Sequence, residues 1–169
     1  MVLGMSLSAF TLFHVLLSLA GIGSGSIVVF GLIGGRRLNG WTAIFLVTTA
    51  LTSLTGVLFP VEHLMPSHVL GFLSLAALSF AIAARYAFQF AGAWRWIYVV
   101  SSALALYFNC LVAFVQAFEK VPTLKALAPT QKEPPFLVTQ LVLLVLFVWI
   151  TTLATKRFNV QAAALRKAA

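Results

Sequence analysis

The chain has no aspartate, three glutamates and one cysteine in 169 residues, and only 8% of it is charged. Glu62, Glu119 and Glu133 all lie outside its long apolar runs, so no paired carboxylates can sit within one. Proton-pump chemistry thereby loses its main support. Cys110 alone gives no intramolecular disulfide and no metal-ligand spacing. Phosphate-binding glycine loops, nucleophile triads and dinucleotide fingerprints are also missing, which argues against hydrolase and kinase readings. No enzymatic chemistry is identified.

What is present is apolar. Hydrophobic residues make up 62% of the chain and its mean hydropathy is +1.05. A soluble domain of this size needs far more polar surface, so the class is integral membrane. Five runs of about 18 residues or more can each cross a hydrocarbon core roughly 30 Å thick. Barrel strands would alternate apolar and polar positions, and these runs do not. The sequence therefore predicts one all-α domain, a five-helix transmembrane bundle, with spans at about 7–33, 41–60, 67–90, 96–118 and 136–155. No basic residue precedes the first run, so it is expected as a retained span rather than a cleaved leader.

The cations set the expected orientation. One side receives Arg36, Arg37, Arg85, Arg95, Lys156, Arg157, Arg166 and Lys167; the other receives Lys120, Lys125 and Lys132 together with every glutamate. Basic residues in short loops collect in the cytoplasm, which places the N-terminus outside and the C-terminus inside. The net charge of +8 belongs to this bias and not to nucleic-acid binding. Trp41, Trp94, Trp96 and Tyr98 fit an aromatic belt on the basic side. Arg85 can snorkel to the headgroups there, and the basic tail can lie as a short helix among anionic lipids. The bilayer is thus the first partner.

Polar side chains within spans are costly without partners and mark sites by default. His14 lies roughly 10 Å and Asn109 roughly 13 Å below the outer ends of their spans, at similar depth. Gln116 and Gln140 lie shallower. These four are the candidate ligand-binding residues. The bland alternative is that His14 and Asn109 bond each other or neighbouring helices.

The stretch "VEHLMPSH" gathers Glu62, His63 and His68 within eight residues. It reads first as a solvated turn and only secondarily as a metal set, since Pro66 separates the two histidines and no helical ligand spacing is present. Ser67 is the expected N-cap of the third span. Haem would need two histidines at equal depth, which His14, His63 and His68 do not offer. In "GIGSGS", Gly21 and Gly25 have the spacing of a packing seam, open to another helix or a second copy.

At "HVLLSLAGIGSG", "GWTAIFLVTT", "AGAWRWIYVV" and "LKALAPTQKEPPFLVTQL" the chain resembles a family of small polytopic membrane proteins of proteobacteria, over about His14 to Phe147. The resemblance implies the inner membrane of a Gram-negative bacterium. That family has no assigned activity, so no residue role and no cofactor is carried over. The leading expectation is a small-ligand binder or conduit with a pocket in its outer half. A non-catalytic accessory subunit of a larger membrane complex, held through the glycine seam and the Pro-rich loop 119–135, comes second. A haem- or quinone-linked redox protein comes third.

Overall fold

The computed structural model describes residues 2, 4–59 and 66–168, with side chains as far as Phe158. Helix α1 covers Leu7–Ile33, α2 Asn39–Val57 and α3 Pro66–Ile82, which runs on through a π-helical turn, Ala83–Ala87. Helix α4 covers Trp94–Lys120, a short α5 Pro122–Leu127, and α6 Pro134–Ala168. All but α5 are long and apolar enough to cross a membrane, and no strand occurs among the described residues.

Local chemistry explains the helix starts. The Ser6 hydroxyl accepts the Ala9 amide at 3.3 Å and caps α1. Prolines open α3, α5 and α6, where a missing N–H leaves nothing unsatisfied. Before α6, the Glu133 carboxylate turns back to accept the Thr130 hydroxyl at 2.8 Å and the Lys132 amide at 3.0 Å. Desolvation pushes the Glu133 carboxyl up, but these bonds and those from the Thr130 and Glu133 amides outweigh it and hold the group below its ordinary value.

Four local features differ from the sequence reading. Ser67 lies inside α3, which already includes Pro66, and so does not cap it. Helix α3 changes to π geometry at Ala83 instead of running on to residue 90. The basic tail continues α6 without a break, and loop 119–135 contains α5.

Side-chain contacts fix the directions. His14 meets Thr55, and the faces of Gly25 and Gly31 meet Phe45 and Leu38, so α1 and α2 are antiparallel. Ser18 meets Asn109 while Gly25 faces Leu106, so α1 and α4 are antiparallel too. Phe118–Phe136, Tyr107–Phe147 and Tyr98–Phe158 pair α4 with α6 along its length. Helices α1 to α4 close a ring, and α6 packs in the groove between α1 and α4. Of the apolar window of α4, 44% is buried, against 17% for α6, so α4 is central and α6 peripheral.

Helix α1 turns many of its large side chains outward and its small ones toward the interior. Leu12, Phe13, Leu16 and Leu19 of α1 face outward, while Gly21, Ser24, Gly25 and Gly31 face the interior. In lipid no hydrophobic force drives helices together, so small residues that allow close contact must do so. A Cβ on Gly25 would lie 2.7 Å from the buried Phe45 ring and 2.8 Å from Leu106 Cδ1. Gly25→Ala should therefore destabilise the bundle by about 1–3 kcal/mol. Gly23→Ala, with nothing within 4 Å of the added carbon, should be neutral or better because alanine favours helix. Denaturation in mixed detergent compares the two; equal responses would contradict the packing.

Candidate functional site

Hydroxyls and one amide are buried among the apolar side chains of the interior. Ser24, Thr42, Thr49, Thr52, Ser53, Thr55, Ser74, Ser101, Ser102 and Asn109 are all buried. Many hydroxyls on these helices bond back to a carbonyl one turn earlier, as Thr52 does to Thr48 at 2.8 Å and Ser53 to Thr49 at 3.0 Å. Such bonding lets a polar group sit in hydrocarbon without a second helix. The exceptions are therefore informative.

His14 is the first. Its Nδ1 lies 2.8 Å from Thr55 Oγ1, and Thr55 also lies 2.7 Å from the Leu51 carbonyl. The hydroxyl has one proton; the arrangement in which it goes to that carbonyl has Thr55 accept the Nδ1–H of a neutral His14, with Nε2 as the acceptor. Phe59 meets the imidazole edge-on at 5.3 Å, and Gly56 leaves room for it, its hypothetical Cβ lying 3.4 Å from Cε1.

Asn109 is the second. Ser18 Oγ donates to its Oδ1 at 2.6 Å, and its Nδ2 reaches the Ser18 carbonyl at a long 3.4 Å. Gly21 opens a notch beside it: a Cβ there would stand 2.9 Å from both Asn109 Nδ2 and Thr49 Oγ1. Thr49 is only 1% exposed, and its hydroxyl has no hydrogen-bond partner among the described residues. His14 and Asn109 thus do not bond each other. Each is tied to a different neighbour, one turn apart along α1.

Gln140 is the third. Its amide nitrogen and oxygen are both sealed from solvent and bonded to nothing among the described residues. It lies between the Phe118–Phe136 and Tyr107–Phe147 contacts, in the interval of α4 that also holds Asn109. Gln116 stands apart, donating to Glu119 at 3.4 Å on the exposed rim. His68 is buried in the first turn of α3. Glu62 and His63 lie outside the described residues, and no group of three metal-ligating side chains occurs among the described ones.

Two surface hollows are lined by other residues. One, of about 300 Å³, lies among Phe118, Glu119, Lys125, Pro129, Thr130 and Gln131. The other, of about 250 Å³, is an apolar groove between α4 and α6 near Tyr107 and Phe147. The sequence reading missed Ser18 and Thr49 as partners, because only the helix register shows that they face Asn109 and Gly21. Compared with protein-family models, with curated proteins and with solved structures, the chain matches none of them.

The tautomer is testable. Nitrogen NMR of His14-labelled protein in detergent should show the proton on Nδ1 and a bare Nε2, and Thr55→Val should abolish that preference. A dominant Nε2–H form in the wild type would contradict the assignment.

Proposed function

We propose that this multi-pass membrane protein, N-terminus outside and C-terminus cytoplasmic in a bacterial inner membrane, binds a small hydrogen-bonding ligand among α1, α2, α4 and α6. The observation that carries the reading is Gln140. An amide sealed from water with neither donor nor acceptor engaged is expensive, on the order of 1–3 kcal/mol in a folded protein. The unengaged Thr49 hydroxyl and the long Asn109 bond lie in the same half of the bundle and add to the unused capacity. A ligand carrying both donors and acceptors would engage these groups.

Access follows from the packing. Helix α6 has the smallest buried share of the five spans and carries Gln140 itself. Moving its outer half away from α1 and α4 would leave the ring of α1 to α4 closed. Entry between α6 and α4 would lead past Tyr107 to the layer of Asn109. His14, with Nε2 bare, supplies a further acceptor from the α1–α2 side.

Gln140→Leu separates a ligand group from a structural one. The variant should melt several degrees above the wild type, because the unpaired amide is gone. In a thermal-shift screen of polar metabolites, compounds that stabilise the wild type should not stabilise the variant. A lower melting temperature for Gln140→Leu would mean that the amide is engaged in the fold, and would overturn the reading.

A further inference from the structure

The basic end of the bundle carries a second cluster, independent of the polar layer. Residues 88–92 take a strained turn: Gln89 and Phe90 have φ of +47° and +61°, and Gly92 has +50°. Left-handed backbone at two successive non-glycine residues costs free energy and persists only when the surroundings enforce it. Here Phe88 stacks on Trp94 at 3.7 Å, and Phe90 is driven inward until it is 5% exposed, against Tyr98 and Phe158.

Two guanidinium groups converge on that ring. Arg37 stands 4.7 Å from the Phe90 centroid and Arg85 stands 5.8 Å from it. Arg37 also reaches Phe158, while Arg85 reaches Tyr86 and Tyr98, each within 6 Å. Arg85 Nη2 donates to Asn39 Oδ1 at 2.6 Å, which ties the π-turn to the start of α2. A guanidinium that meets a ring with its face keeps its N–H edges available. Each arginine has five such donors, and Arg85 to Asn39 is the one side-chain bond between these groups and the described residues.

No carboxylate side chain among the described residues answers this charge. The chain has no aspartate, and Glu119 and Glu133 lie at the opposite end of the bundle. Around the arginines, Tyr86, Phe88 and Trp96 present exposed apolar surface at the end of the spans. Oriented guanidinium edges suit a phosphate, and the flanking aromatics suit acyl chains.

We propose that Arg37 and Arg85, held over Phe90 by the strained 88–92 turn, form a binding site for the headgroup phosphate of an anionic phospholipid. The location selects lipid over soluble phosphate, because the donors sit where the apolar spans end and headgroups begin. The strain in the turn has a role on this account: it supplies the aromatic floor that orients both arginines.

Native mass spectrometry of the full-length protein, delipidated and then offered phosphatidylglycerol, phosphatidylcholine or inorganic phosphate, tests the site. The wild type should retain phosphatidylglycerol at least tenfold better than phosphatidylcholine. Arg37→Gln should remove most of that preference; Arg37 is exposed and makes no side-chain hydrogen bond among the described residues, so this variant should fold. Arg37→Gln with Arg85→Gln should abolish the preference, whereas Lys132→Gln at the opposite end should leave it unchanged. Unchanged preference in folded Arg37→Gln would overturn the proposal. So would displacement of the lipid by inorganic phosphate at equal concentration, which would assign the site to a free anion.

Discussion

The close approach of α1 to α2 and α4 is the constraint on which this bundle depends. Gly21 and Gly25 present no side chain, so Phe45, Leu106, Thr49 and Asn109 press against the α1 backbone itself. Dispersion and hydrogen bonding, not hydrophobic burial, must hold helices together in lipid. Both need contact distances that larger residues on α1 would prevent. The Ser18–Asn109 bond closes the same interface at 2.6 Å, one turn from the glycine notch.

From that interface the rest follows. Once α1, α2, α3 and α4 form a ring, α6 can only lie on its outside, in the α1–α4 groove, with a wide apolar face turned to lipid. Most polar groups on the inner helices are neutralised by bonds to their own backbone. Among the described residues the exceptions are of two kinds: His14 and Asn109 bond to a neighbouring helix, and the hydroxyls of Thr49, Ser74 and Ser102 and the amide of Gln140 have no side-chain or backbone partner. The arginine pair at the basic end obeys the same logic: aromatic rings surround it, and Arg85 to Asn39 is its one side-chain hydrogen bond among the described residues.

The spans were legible because hydropathy and length dictate them. Helix α1 has the bounds that its apolar run suggests, and α2 and α4 differ by two or three residues at their ends. Proline placement fooled the reading at Ser67, since a proline can itself be the first helical residue. The pairings were not legible. That Asn109 meets Ser18, and His14 meets Thr55, depends on helix register and rotation, which a uniformly apolar run does not encode. The turn at 88–92 was hidden for a different reason: tertiary contacts of Phe90 and Trp94 impose left-handed backbone on residues that do not favour it.

A double-mutant cycle with Ser18→Ala and Asn109→Ala, measured by reversible unfolding in mixed detergent, tests the central interface most directly. The account predicts a coupling of about 1 kcal/mol, typical of interhelical bonds in membranes. Additivity within about 0.3 kcal/mol would show that the two side chains act independently, and would contradict an interface closed by their bond.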